Sequence, residues 1–366
     1  MREYLLVAVV AGVVTYLTTP AIRALAVRFG AVTPVRGRDV HSVPIPRLGG
    51  VGMLLGFAAA VLIASRLRYM SQLFQGANHQ VVATLIAAAF ITAVGAVDDF
   101  RELDPLTKLA GQMIAAGVMA FGGVQLSALP TGDSSTILPQ PILILLTFVI
   151  VLATTNAVNF ADGLDGLAAG FVAIAAIAFF LWAYQVAHQY QNASDSVFRT
   201  SAFVSAVTAG CCLGFLPHNF FPARLFMGDA GALLLGLLLS ASTISFTGNI
   251  QPSQVGSQSA AFWVPIALPI AILALPVLDV ILVVRRRGLK FWKPDRGHLH
   301  HKMLDIGHSH RRAVLLLYLW SASLALGVLM FTYVSTTWAL TALVLLVALS
   351  AALTRWLPRW KRTRSL

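Results

Sequence analysis

Charge is what this chain has least of. Asp, Glu, Lys and Arg make up 11% of its 366 residues, against 58% hydrophobic. A water-soluble chain carries about a quarter charged residues. A soluble fold of one or two domains is therefore excluded, and a multi-span membrane protein takes its place. Cysteine is nearly absent. The two present, Cys211 and Cys212, are adjacent inside an apolar run, which argues against a structural disulfide and for small buried side chains. No repeat, low-complexity tract or soluble domain interrupts the chain, and the longest hydrophilic stretch is 285–312. The marks of a cleaved signal are missing as well: Tyr4 to Thr19 is apolar, but no small-residue cleavage site follows and further apolar runs come soon after. Acidic residues are the scarcer sign, 14 against 26 basic, for a net charge of +12. In so apolar a chain, that excess points to cytoplasmic loops facing anionic lipid rather than to nucleic acid.

What is there is span after span. A helix crossing the hydrocarbon core needs about 20 apolar residues. Eleven candidates meet this: 4–26, 48–66, 80–97, 106–124, 141–158, 166–187, 200–216, 230–250, 261–284, 313–334 and 336–357. The seventh is short, and the last two are joined by a turn near Ser335 that must be tight. An odd count puts the termini on opposite sides. Of the Lys and Arg residues, only Arg2, Arg66, Arg68 and Arg199 fall on one side. The other side is then cytoplasmic, which places the N-terminus outside and the C-terminus inside. The exterior loops are bland. The cytoplasmic side carries every motif with chemical potential, so a site is expected at that mouth of the bundle.

Residues 156–170 are the most unusual of these motifs. Asn156, Asn159, Asp162 and Asp165 stand three apart, a spacing that shares one face if the segment is helical. Amides and carboxylates in such a setting need a cation, a polar ligand or water. Asp98-Asp99 ends the third span, and adjacent carboxylates repel unless a cation or proton relieves them. They are either a solvated helix end partnered by Arg101 and Lys108, or a Mg²⁺ site or proton-accepting base. Lys108 and Gln112 lie one and two turns into the fourth span, where a lysine can reach back to a phosphate.

Phe226-Met227-Gly228-Asp229 opens the eighth span. It reads as a helix cap, a metal ligand, or a helix N-terminus suited to phosphate. A stiff aromatic loop, Pro217-His218-Asn219-Phe220-Phe221-Pro222, precedes it. In 293–302, His298, His300 and His301 invite a zinc reading, but no cysteine is near and Arg296, Lys302, Arg311 and Arg312 crowd them, which favours an anion. His308 and His310 belong to the bland part of that loop. The first cytoplasmic loop runs from Arg36 and Arg38 through His41 to Pro44-Ile-Pro-Arg47-Leu-Gly-Gly, stiff and basic, and suits phosphates or lipid headgroups. Asp279, at the end of the ninth span, pairs most simply with Arg286.

Taken together, these motifs resemble the polyprenyl-phosphate N-acetylhexosamine-1-phosphate transferase family. The resemblance runs from about Arg36 to His301, in the family's order. It rests on Pro-Ile-Pro-Arg-Leu-Gly-Gly, Asp-Asp with its downstream Lys and Gln, Asn-x-x-Asn-x-x-Asp-Gly-x-Asp-Gly-Leu-Ala, Phe-Met-Gly-Asp and Asp-Arg-x-His-x-His-His. The resemblance implies an all-α polytopic membrane protein, a single transferase domain spanning 1–366, with a site formed by loops 28–47, 98–108, 156–166, 217–230 and 285–312. It also implies a bacterial plasma-membrane location and an active site on the cytoplasmic face.

The implied reaction is attack of a polyprenyl phosphate on a UDP-sugar, with UMP leaving, as the first membrane step of cell-envelope polysaccharide synthesis. Phosphate must approach phosphate, so Mg²⁺ (Mn²⁺ as the alternative ion) and basic groups are implied. The implied catalytic set is Asp98, Asp99, Asp162 and Asp229. Asp229 matches the metal ligand, with Asp99 and Asp162 beside it, and Asp98 matches the residue that takes the proton from the lipid phosphate. Direct attack is preferred over a covalent aspartyl-phosphate. Lys108 and Arg47 would hold phosphate. Asn159 would hydrogen-bond near the metal, Asp165 and Phe226 would hold uracil, and Asn219 would contact the nucleoside. Arg296, His298, His300 and His301 would bind the diphosphate or sugar.

The form His298-Leu-His-His-Lys302, with Asp279 and the Lys-Pro-Asp-Arg lead, is similar to the WecA/TagO branch rather than the MraY branch. UDP-GlcNAc is therefore the implied donor, and a homodimer is a further implication. The rivals are an MraY-type phospho-MurNAc-pentapeptide transferase, a secondary transporter and a non-catalytic scaffold. A transporter predicts inverted internal symmetry and midplane polar residues, and neither is visible. A scaffold has no use for so many carboxylates.

Overall fold

A computed structural model describes residues 1–33, 44–74, 79–127, 129–130, 135–136, 138–189, 196–247 and 307–356. Ten α-helices occur among these residues. They are α1 (Arg2–Phe29), α2 (Gly49–Ala64), α3 (Gln80–Arg101), α4 (Pro105–Phe121), α5 (Gln140–Ala161), α6 (Leu167–Gln189), α7 (Ser196–Asn219), α8 (Gly228–Thr247), α9 (His310–Tyr333) and α10 (Thr336–Trp356). Two two-residue antiparallel pairs accompany them: β1 (Val32–Thr33) with β2 (Ile45–Pro46), and β3 (Leu129–Pro130) with β4 (Ser135–Thr136).

Eight helices have the length and apolarity to cross a membrane. The exceptions among the ten, α2 and α4, have 16 and 17 residues, about 24–26 Å at 1.5 Å per residue. The expected ninth span, 261–284, lies outside the described residues. The expected tight turn near Ser335 is present between Tyr333 and Thr336.

Helix α8 is the axis of the bundle. Every residue from Ala230 to Thr247 is buried, with α2, α3, α5, α6 and α7 packed around it. It is apolar on all sides, as a helix surrounded by protein must be. Some of its hydroxyls bond back into their own helix, Thr243 to the Leu239 carbonyl and Thr247 to the Thr243 carbonyl. At the periphery, α10 and α1 leave most of their apolar surface uncovered, where lipid takes the place of a protein partner. Cys211 and Cys212 are free and buried in α7, as small core side chains.

Two expectations change. The seventh span is 24 residues long, not short. The helix runs past the expected 200–216 at both ends, over 196–199 and 217–219, and inside it Ser205 and Thr208 bond the carbonyls four residues back. The segment 156–170 does not share one helical face. Helix α5 ends at Ala161 and α6 starts at Leu167, with Gly166 at a φ of 78°. Asn156 and Asn159 therefore sit on the last turns of α5, while Asp162 and Asp165 lie in the break.

The ends of the bundle differ in chemistry. At one end meet the C-terminal ends of α1, α3, α5 and α7 and the N-terminal ends of α2, α4, α6, α8 and α9. At the other, Glu3 accepts from the Tyr69 and Met70 amides and the Arg199 guanidinium lies 4.4 Å from the centre of the Tyr69 ring.

Candidate functional site

The site is built at the first end, on a floor of main chain. The Phe226 N–H donates to Pro46 O (2.9 Å), and the Gly49 and Gly50 N–H groups donate to Phe226 O and Met227 O (3.0 Å each). The first loop and the start of α8 are thus tied backbone to backbone. A Cβ on Gly50 would stand 2.2 Å from the Gly231 nitrogen, so glycine alone allows that approach.

Asp99 fixes this floor to α3. Its carboxylate accepts from the Asp229 N–H (2.9 Å) and the Ala230 N–H (3.2 Å), and its side chain is 0% exposed. It is the N-terminal cap of α8, supplied by another helix. Two donors that a helix start leaves unpaired are satisfied here, in the favourable field of the helix dipole. Two expectations are corrected by this. Asp229 is not the cap of its own helix, and the first amides of α8 are occupied by a carboxylate instead of standing open for phosphate. Asp99 itself has both oxygens committed to backbone.

Asp98 faces the other way. One oxygen accepts from the Leu103 N–H (2.6 Å) and the other from Lys108 Nζ (3.1 Å). Lys108 Nζ also contacts the Asp229 carboxylate. A single ammonium thus bridges carboxylates from α3 and α8. Lys108 is carried there by the start of α4, where Asp104 caps the helix through the Leu106 and Thr107 amides (3.1 and 3.0 Å). The Thr107 hydroxyl and those amides hold the Asp104 carboxyl below the usual range. Arg47 enters from the first loop. Its Nε donates to Thr33 Oγ1 (2.6 Å), and its Nη1 lies 4.0 Å from Asp99.

Asp162 and Asn159 have no side-chain hydrogen-bond partner among the described residues. Asp162 is half-buried, and its carboxyl is pushed up to about 7, by desolvation first and then by the Asp99 charge, against the opposing pull of Arg47. Among the described residues no three His, Cys, Asp or Glu side chains converge on one point. The open carboxylate of Asp162 fits an ion such as Mg²⁺, which keeps its waters and takes one or two carboxylates plus substrate phosphates. Lys108 stands in for such a cation between Asp98 and Asp229.

The remaining site residues form a second group. Asp165 is buried and accepts from the Ala223 N–H (2.9 Å). Asn219 is buried, accepts from the Gly166 N–H (3.0 Å) and donates to Leu225 O (3.1 Å). Both therefore shape the loop that leads to Phe226, which is partly exposed beside them in the chain. Asn156 braces α5 against α4, donating to Gln112 Oε1 at 2.8 Å. His218 stacks on Tyr16 and bonds its carbonyl. Arg36, Arg38, His41, Asp279, Arg296, His298, His300 and His301 lie outside the described residues.

Sequence reasoning missed Tyr318 of α9 and read Arg311 only as one of the basic residues crowding the histidines. Tyr318 donates its hydroxyl to Gly166 O, and Arg311 Nε donates to Phe221 O at 3.0 Å. Nothing local marks either residue.

Residues 81–247 match the model of Glycosyl transferase family 4. The chain is 45% identical over 334 residues to a decaprenyl-phosphate N-acetylglucosaminephosphotransferase of Mycolicibacterium smegmatis, covering 89% of this chain and 82% of that protein. It is 31% identical over 336 residues to a probable undecaprenyl-phosphate N-acetylglucosaminyl 1-phosphate transferase of Bacillus subtilis, covering 87% and 83%. A phospho-N-acetylmuramoyl-pentapeptide-transferase of Mycobacterium avium is 30% identical over 366 residues, covering 90% and 97%. The chain belongs to Glycosyl transferase family 4, among the polyprenyl-phosphate N-acetylhexosamine-1-phosphate transferases.

Proposed function

We propose that this protein transfers GlcNAc-1-phosphate from UDP-GlcNAc to a polyprenyl phosphate, undecaprenyl or decaprenyl, and releases UMP. An oxygen of the lipid phosphate bonds to the β-phosphorus of the UDP-sugar. The bond from that phosphorus to the bridging oxygen breaks, and UMP carries the electron pair away. A polyprenyl-diphosphate-GlcNAc remains in the membrane. The observation that carries this reading is Lys108 held between Asp98 and Asp229, one cation shared by two carboxylates in a chain 45% identical to a decaprenyl-phosphate N-acetylglucosaminephosphotransferase.

Each residue has a place in this scheme. Asp98 accepts the proton of the lipid phosphate. Lys108 and Arg47 reduce the repulsion between phosphates, the largest obstacle when two anions react. Asp229 and Asp162, assisted by Asn159, would hold Mg²⁺. That ion, when bound, neutralises charge on the diphosphate. Asp165, Asn219 and Phe226 form the nucleoside side, and Arg296, His298, His300 and His301 the diphosphate or sugar side. Asp99 supports Asp229 by capping its helix. An outside N-terminus and a cytoplasmic site in the bacterial plasma membrane complete the reading, supported by the division of Lys and Arg between the loops. Eleven spans rest on the apolar runs of the sequence, and a homodimer on the family resemblance alone.

Purified protein is offered UDP-GlcNAc, UDP-GalNAc or UDP-MurNAc-pentapeptide, each with polyprenyl phosphate and Mg²⁺. UMP release from UDP-GlcNAc is expected. Release from the muramyl substrate alone overturns the choice of sugar.

A further inference from the structure

The nucleoside-side residues do not hold themselves in place. Asp165 is bonded to the Ala223 amide and Asn219 to the Gly166 amide and Leu225 carbonyl. The loop 220–227 and the turn 162–166 therefore position one another. Both are also gripped from outside by α9. At its first turn, the His310 ring stacks on Phe221 with centroids 4.4 Å apart, and Arg311 Nε donates to Phe221 O at 3.0 Å. About two turns further along, Tyr318 donates its hydroxyl to Gly166 O. Tyr318 also fills the space over Gly170, where an added Cβ would fall 1.9 Å from its ring. Gly166 is thus held at both of its backbone groups, its N–H by Asn219 and its C=O by Tyr318. Helix α9 touches the loop at one point and the turn at another, fixing the distance between them.

We infer that α9 is the positioning element of the nucleoside half of the site, with Arg311 and Tyr318 as positioning residues for the uridine nucleotide. This rests on the donor-nucleotide reading above. Neither residue needs to touch the substrate. Arg311 sets the loop that ends in Phe226, and Tyr318 sets the turn that carries Asp165. Of the metal and lipid-phosphate groups, Asp229, Asp98 and Lys108 are held by α3, α4 and α8 instead, and Asp162 alone shares the gripped turn. Loosening α9 should therefore separate the two substrates.

The test uses full-length protein in detergent and the variants R311A, R311K, Y318F and the double variant R311A/Y318F. Each lost hydrogen bond is expected to raise KM for UDP-GlcNAc and weaken UMP binding about three- to tenfold. The KM for polyprenyl phosphate should stay within about twofold. R311K should recover part of the loss, since an ammonium still donates to the Phe221 carbonyl. Unchanged UMP binding in R311A/Y318F overturns the inference, as does an equal rise in both KM values. UMP binding is measured on its own by calorimetry, so wild-type protein that binds no uridine nucleotide overturns the donor reading and this inference together. Wild type that binds UMP as firmly as the double variant overturns only the inference.

Discussion

Asp98 offers its carboxylate to Lys108, while the next residue, Asp99, turns to the backbone of α8. That difference predicts how variants behave. Asparagine keeps one acceptor oxygen but turns an NH₂ group toward the second α8 amide, and alanine keeps neither acceptor. Asp99→Asn should therefore lower the melting midpoint and Asp99→Ala should lower it further. Equal losses in both, with the same loss of Mg²⁺ activation, would mark Asp99 as a ligand first. Asp229→Asn keeps the shape of the site but removes a charged ligand, and Mg²⁺-dependent UMP release should fall by at least about 100-fold. Asp162 gives a pH signature. Its folded pKa is raised to about 7, so below that pH it is protonated and must lose a proton before binding a cation. Apparent Mg²⁺ affinity should rise with pH up to about 7 and level off above, by at most about tenfold per unit. Titration calorimetry between pH 5.5 and 8 reads this; a flat profile would remove Asp162 from the metal set. The carboxylates themselves were legible in the sequence. Their division into cap, ammonium partner and open ligand was not, because it depends on which backbone amides arrive beside them.

At the scale of elements, the start of α8 is the joint on which the site turns. Gly228 has a φ of 68°, and a Cβ there would stand 2.2 Å from an Asp99 oxygen. Gly228→Ala should cost more than about 2 kcal/mol and abolish transfer. Gly117→Ala in α4, whose nearest contact would be Phe148 at 3.6 Å, should leave both stability and activity near wild type. Melting and UMP release on the pair check this. Helix positions were largely readable because apolar runs of about 20 residues have one meaning in a membrane. The break at 162–166 was harder to place. Spacing by threes fits a helix equally well, and the turn is stabilised by Asn219 and Tyr318, which are remote in sequence.

For the whole molecule, the two ends of the bundle predict two aqueous compartments. Cys211 and Cys212 are fully buried and should give no background with a membrane-impermeant maleimide. On intact cells, the reagent should label Arg68→Cys and spare Arg101→Cys, both exposed positions at opposite ends. The reverse pattern, or equal labelling, overturns the orientation. The sidedness proposed from the basic residues needs no structure, because it rests on charge and not on contacts. The packing around α8 could not be read without one, because an all-apolar helix presents no face to choose between.

The cap on α8 also bears on how the protein is made. Asp99 is synthesised 130 residues ahead of the first amide it caps. Helix α3 therefore enters the membrane with a carboxylate whose final partners do not yet exist, and Arg47, made earlier still, is the cation that can accompany it. Only when α8 arrives does the floor close. The transferase site is thus a late product of insertion, and a chain stalled before Gly228 would hold most of its spans and none of its catalytic floor.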